Sequence, residues 1–191
     1  REIYHPHSRC QGDRCMIFTG TEIQGVYVVE PEPHMDERGF FARSFCKEEF
    51  REKGLETEIV QCNISYNRKK GTIRGMHYQV PPFEEAKIVS CVRGSIYDVV
   101  VDLRRDSPTY CRWFATELTE RNFKMAYIPK GCAHGFQTLE DDCMVYYQMT
   151  EFFHPECARG VRWDDPTIGI LWPHPATIIS EKDRKYPDHV L

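Results

Sequence analysis

Between residues 25 and 150 the chain is cut into short apolar and aromatic runs by Gly, Pro and Asn turns. "GVYVVEP" (25–31) stops at Pro31, and "MDERGFFARSF" is a charged turn opening into an aromatic strand. "EIVQCNISYN", "TIRGMHYQV", "RWFATELT", "KMAYIPKG", "AHGFQTLE" and "CMVYYQMTEF" continue the series. "AKIVSCVRGSIYDVVVDL" predicts two strands joined around Arg93-Gly94, the second so apolar that both of its faces must be buried. Only "CKEEFREKGL" (46–55), ending near Gly54, has the charge pattern of a short helix. Many short strands, turn residues between them and almost no helix restrict the chain to an all-β sandwich or barrel. "TIISEKDRKYPDHVL" is polar and leaves the strand pattern. Residues 1–19 carry no periodicity and are expected to be a flexible tail, leaving 20–191 as a single domain.

Bulk composition narrows the function classes. With 191 residues the chain can bury a core without disulfide staples. The nine cysteines are scattered, with no C-x-x-C pair, and are expected to be reduced thiols in a cytoplasmic protein. Cys10 and Cys15, near His5 and His7, fall in the tail, where a bound metal is a weaker reading than a plain leader. A net charge of −4 and dispersed basic residues argue against nucleic acid as a partner. No apolar run approaches the roughly 20 residues that span a bilayer, and no membrane partner is expected. The polar start of the chain has no signal-peptide core.

Two Gly-flanked histidines carry the functional signal. Double-stranded β-helix barrels of the cupin type carry G-x5-H-x-H-x3,4-E-x6-G in one strand pair and P-x-G-x2-H in another. Gly71, His77 and Gly94 keep the spacing of the first, and Pro129, Gly131 and His134 that of the second. The metal ligands are broken: Gln79 replaces the second histidine, and Lys87 stands where the glutamate would fall. A divalent ion needs carboxylates and neutral imidazoles, and an ammonium beside it repels it. The chain is therefore expected to hold no metal and no cofactor.

A lysine can also stabilise an oxyanion in a dry cavity, and a neutral histidine on a rigid strand can take a proton. Base plus cation is the minimum set for removing a proton next to a carbonyl. Spacing alone leaves the bland alternative open, with Lys87 a rim residue reaching for water and His77 a satisfied core histidine.

The segments "DERGFF", "VQCN", "TIRGMHYQ", "EAKIV", "GSIYDVVVDLRRDSPT", "YIPKGCAHGF", "VYYQMT", "VRWDDPTIGILWP" and "SEKD" stand in one order from about residue 22 to 187. In that order they resemble the dTDP-4-dehydrorhamnose 3,5-epimerase family of nucleotide-sugar epimerases. The resemblance implies a metal-free cupin-like jelly roll, a homodimer, and a dTDP-linked 4-keto-6-deoxy sugar as substrate. It implies His77 as base and Asp183, from the S-x-K-D tail, as the carboxylate that fixes its tautomer. Lys87 matches the lysine facing the enolate. The acid on the opposite face is Tyr147 rather than Tyr146 by counting back from Phe152-Phe153-His154-Pro155, with a core aromatic as the bland reading of Tyr147. Arg38, Gln61, Asn63, Arg74, His134 and Lys182 match positions that hold the diphosphate and sugar; His134 could otherwise be a turn residue. Phe153 takes the place of the tyrosine that stacks on the base and keeps the π face.

The chain departs from the family pattern at Arg43, at Ala158 (each a glutamate in many members) and at Phe153. All three concern the nucleotide or the pocket rim, so they bear on base and sugar rather than on reaction type. Two competing classes are a catalytically silent sugar-nucleotide-binding barrel and a metal-dependent cupin oxygenase. The first has no need of an Asp-backed histidine, and Gln79 and Lys87 oppose the second.

Overall fold

Two antiparallel sheets, packed face to face, dominate this computed structural model, which describes residues 16–190. The elements in chain order are β1 (Met16–Gly20), β2 (Tyr27–Pro31), β3 (His34–Asp36), β4 (Gly39–Phe41), α1 (Lys47–Glu52), β5 (Gln61–Asn67), β6 (Ile73–Gln79) and β7 (Lys87–Arg93). They continue with β8 (Ser95–Asp102), β9 (Trp113–Thr119), β10 (Met125–Ile128), β11 (Cys132–Thr138), β12 (Cys143–Met149), β13 (Ala158–Gly160) and α2 (Glu181–Arg184). One sheet has the order β1-β2-β10-β7-β12-β5, the other β13-β6-β11-β8-β9, and β3-β4 form a separate hairpin. From β5 to β8 and again from β9 to β13 successive strands alternate between the two sheets, which is the jelly-roll arrangement expected of the sequence.

Three apolar layers follow from the period-2 alternation of strand side chains. Between the sheets, Val89, Cys91 and Val145 of one meet Ile96, Val100, Leu118 and Phe136 of the other. Outside the six-stranded sheet, Phe50 of α1 is fully buried among Met16, Val29, Ile88 and Tyr127. Outside the five-stranded sheet, Met76, Val99, Val101 and Ala133 are covered by Val161, Ile168 and Ile170. β8 thus sends Ile96 and Val100 inward and Val99 and Val101 outward, which accounts for its apolar run.

The helix and the long strands lie where the sequence places them. The turn between β7 and β8 needs Gly94: its φ is +75°, and a Cβ there would lie 2.8 Å from Cys143 Sγ. One feature differs from expectation. β1, of which residues 16–19 fall in the segment expected to be a tail, pairs along its whole length with β2. "MIFTG" is too short for its alternation to stand out until β2 supplies partners. The polar C-terminal segment leaves the strand pattern but packs on the sandwich: Ile73 N–H donates to the Ile178 carbonyl, and Asp183 is buried. Residues 1–15, with Cys10, Cys15, His5 and His7, and Leu191 lie outside the described residues. The other seven cysteines are free thiols, and burial pushes Cys91 and Cys132 up to about 12, far from reactive thiolates.

Asp102, at the end of β8, is buried to 0% exposure yet fully bonded. Oδ1 accepts from Arg104 N and Nε, and Oδ2 from Arg104 Nη2, Ser107 Oγ and Thr109 Oγ1. Burial pushes its carboxyl up, but these bonds outweigh it and bring the pKa down to about 2. A depressed carboxylate contributes stability above its unfolded pKa of about 3.9 and loses it as the pH falls through the folded value. Asp102→Asn should therefore cost on the order of 3 kcal/mol at neutral pH in denaturant titrations. The gap to wild type should close between pH 4 and pH 2.

Candidate active site

β6 and β11 run side by side, and their glycines decide how closely. A Cβ on Gly75 would lie 2.5 Å from the Gly135 Cα, and one on Gly135 would lie 2.6 Å from Met76 Sδ. Both positions therefore exclude any larger residue. Gly75 has φ +129°, and the pairing shifts register between His134 and Phe136. The result sets His77 directly opposite His134. Both histidines face a cavity of about 580 Å³ between the sheets.

Each histidine rests on a buried carboxylate. His77 Nε2 lies 2.7 Å from Asp183 Oδ1, and Gly75 N–H donates to Oδ2 at 3.4 Å. Asp183 stands in the first turn of α2, whose N-cap Ser180 Oγ accepts from the Asp183 N–H. Burial pushes the Asp183 carboxyl up, but the hydrogen bond and charge of His77 outweigh it and hold the group below the usual range. His77 is 42% exposed at its side chain and Asp183 5%, so the imidazole is open to the cavity and its partner is not. His134 Nε2 lies 2.7 Å from Asp98 Oδ2. Asp98 is wholly buried, and its Oδ1 has no hydrogen-bond partner among the described residues.

Lys87, from the facing sheet, sits low in the cavity beside Glu85. Its Nζ is 2.8 Å from Glu85 Oε1 and donates to the His77 carbonyl at 3.1 Å. Glu85 Oε2 accepts from Gln79 N–H at 3.0 Å. The ammonium is thus held against the strand that carries His77, with its charge balanced. Gln79 spends its side chain on two loops, donating to the Phe83 and Phe152 carbonyls and accepting from His154 N–H. With Gln79 so engaged and both imidazoles turned to carboxylates, the cupin metal positions carry other bonds. No cluster of three potential ligands forms among the described residues.

Tyr147 lines the same cavity from β12, opposite His77, and packs against the inter-sheet core. Burial pushes its hydroxyl up, and the charge of Arg74 offsets part of that. Tyr146 points to the other side of β12, where the Cys62 thiol meets its hydroxyl. Strand alternation therefore puts Tyr147, not its neighbour, in the cavity.

Gln61, Asn63, Arg74, Phe153 and Lys182 also line the cavity. Gln61 bonds Asn63 Oδ1 and accepts from Phe153 N–H, while Arg74 Nε donates to Asn67 Oδ1 at 2.6 Å. Ala158 is on the rim. Arg38 stands apart, in the β3–β4 turn, exposed and paired with Asp36. Arg43 donates to Glu49 at the helix. Sequence reasoning missed Asp98, Glu85, Arg159 and Tyr186, which also belong to this site or its walls. Asp98 had a signal: a carboxylate inside a strand buried on both faces needs a partner. Glu85, in the turn after Pro81-Pro82, had none.

Comparison with known proteins puts these residues in a family. The family model described as dTDP-4-dehydrorhamnose 3,5-epimerase matches residues 20–189. A protein of that name from Methanothermobacter thermautotrophicus is 45% identical over 172 residues, covering 88% of this chain and 92% of the relative. Among solved structures, the Bacillus anthracis dTDP-4-dehydrorhamnose 3,5-epimerase with TDP and pyrophosphate bound superposes with a TM-score of 0.88 at 38% identity, covering 91% of this chain and 99% of that one. The Legionella pneumophila dTDP-6-deoxy-D-glucose-3,5-epimerase in complex with dTDP-4-keto-L-rhamnose gives 0.82 at 37% identity, covering 88% and 89%. The sandwich, the paired histidines of β6 and β11 and the near-full-length match agree, and the chain belongs to the dTDP-4-dehydrorhamnose 3,5-epimerase family.

Proposed function

We propose that the protein epimerises a dTDP-linked 4-keto-6-deoxy sugar at C3, C5 or both, through an enolate. The observation that carries this reading is the split of the cavity. An Asp-backed histidine stands on one sheet, and a tyrosine stands on the sheet that faces it. A C4 carbonyl acidifies the hydrogens at C3 and C5. His77 takes one of them, and Asp183 holds its tautomer and supports the imidazolium that forms. The electron pair moves onto the carbonyl oxygen, where the Lys87 ammonium meets the developing charge. Tyr147 then delivers its proton from the other side, and the configuration inverts.

Arg74, Lys182, Gln61 and Asn63 give the cavity mouth the donors that a nucleoside diphosphate takes, and His134 a donor for the sugar. Exposed Phe153 offers a face for the base. A silent binding barrel would need these groups, but not a buried carboxylate behind His77. The β3–β4 hairpin presents Arg38 together with Met35 and Phe41, 72% and 74% exposed. That patch supports a homodimer, with Arg38 reaching a partner's substrate. We place the enzyme in the cytoplasm, where nucleotide sugars are made. No helix among the described residues is long and apolar enough to cross a membrane.

His77→Ala should lower turnover of dTDP-4-keto-6-deoxyglucose on the order of 10²–10⁴-fold. Near-normal turnover would remove His77 from the mechanism. Tyr147→Phe in heavy water should still exchange the substrate's C3 or C5 hydrogen for deuterium while forming little inverted product. NMR of the recovered sugar reads both, and inversion at the wild-type rate would exclude Tyr147 as the acid. Glu85→Gln leaves the Lys87 charge buried and unpaired. It should cost about 3–5 kcal/mol in urea unfolding, against under about 1 kcal/mol for the same change at Glu56, whose bridge to Lys130 is exposed.

A further inference from the structure

Asp183 reaches His77 on a short support. α2 is a single turn of four residues, too short to hold itself in water. The chain is tied again only beyond it. Asp188 pairs with Arg162 at 2.7 Å, His189 N–H donates to buried Asp165, and the His189 ring bonds the Tyr110 hydroxyl at 2.7 Å. Between the two anchors stands one aromatic residue, Tyr186.

Its ring occupies a slot that only glycine leaves open. A Cβ on Gly160 would lie 2.3 Å from Tyr186 Cε2 and 2.4 Å from Cζ, so the ring lies directly on the backbone of β13. Gly160 is the register partner of His77. The same ring meets the His77 imidazole edge-on, with centroids 6.1 Å apart and planes at 68°. Tyr186 therefore touches the strand behind the imidazole and the imidazole itself, three residues after the carboxylate it must aim. Its hydroxyl is buried with no hydrogen-bond partner among the described residues, so it holds nothing in place.

We infer that Tyr186 is a positioning residue for the His77–Asp183 pair, acting through its ring docked on Gly160 and not through its hydroxyl. The inference rests on the proposed role of that pair as the base. A carboxylate that drifts by an ångström loses its line to the imidazole, and misplacement of that size costs turnover without touching substrate.

The test uses the full chain in four forms: Tyr186→Phe, Tyr186→Ala, Asp183→Ala and the double variant Asp183→Ala/Tyr186→Ala. Turnover and KM are measured with dTDP-4-keto-6-deoxyglucose. The hydrogen-bonded imidazole N–H resonance of His77 is followed by NMR, without substrate. Tyr186→Phe should stay within about twofold of wild type and keep the resonance. Tyr186→Ala should remain folded, lose kcat on the order of 10²-fold at nearly constant KM, and lose the resonance. The double variant should be no slower than Asp183→Ala, because the ring acts through that carboxylate. The inference is overturned if Tyr186→Ala keeps the resonance and turnover, if Tyr186→Phe loses as much as Tyr186→Ala, or if the double variant is slower than Asp183→Ala by the full factor. Wild-type turnover in Asp183→Ala would instead sink the dyad reading, while the resonance would still decide what Tyr186 holds.

Discussion

The close passage of Gly75 and Gly135 governs the geometry of the whole cavity. Two backbones that approach until neither position tolerates a Cβ cannot slide, because any shift in register would bring a side chain into the gap. The bulge between His134 and Phe136 takes up the mismatch and leaves His77 and His134 facing each other across the pair. Everything else in the site is placed relative to that pair. Asp183 meets Nε2 of one histidine, Asp98 that of the other, and Lys87 bonds the carbonyl of His77 itself.

Charge is the second constraint. The cavity floor buries Glu85, Lys87, Asp98 and Asp183, and a buried charge left alone would cost several kcal/mol. Each of the four has an ionisable partner within 2.8 Å. Glu85 and Lys87 cancel each other, and each aspartate has an imidazole nitrogen beside it. The Lys87 ammonium is fixed by Glu85 and the His77 carbonyl. Arg74, Lys182 and Arg159 add three cationic side chains to the cavity lining.

The two Gly-flanked histidines keep the cupin spacing but have different neighbours. Cupin barrels aim donors from two neighbouring strands at one point. Here the same strands aim imidazoles, but the remaining donor positions have been turned to fastening. Gln79 ties the loops of Phe83 and Phe152–His154, and Lys87 supplies the positive charge.

Much of this could be read from the sequence alone. Period-2 alternation and turn residues specify the sandwich, because a strand's side chains must divide between two faces wherever it lies. The double-apolar run of β8 announces a central strand, and the spacing from Gly71 to His77 and from Pro129 to His134 announces two histidines at a barrel mouth. The parity of Tyr146 and Tyr147 is likewise a property of the strand. The role of Asp98 and the docking of Tyr186 on Gly160 are not local: His134 lies 36 residues from Asp98, and Gly160 stands on a strand well before the turn that carries Tyr186. The strand at Met16–Gly20 and the role of Glu85 use nearer partners, β2 and Lys87, but no local pattern announces either pairing. Local pattern sets which face a side chain takes, but only the folded sheets decide what stands across from it, since that depends on register and loop path.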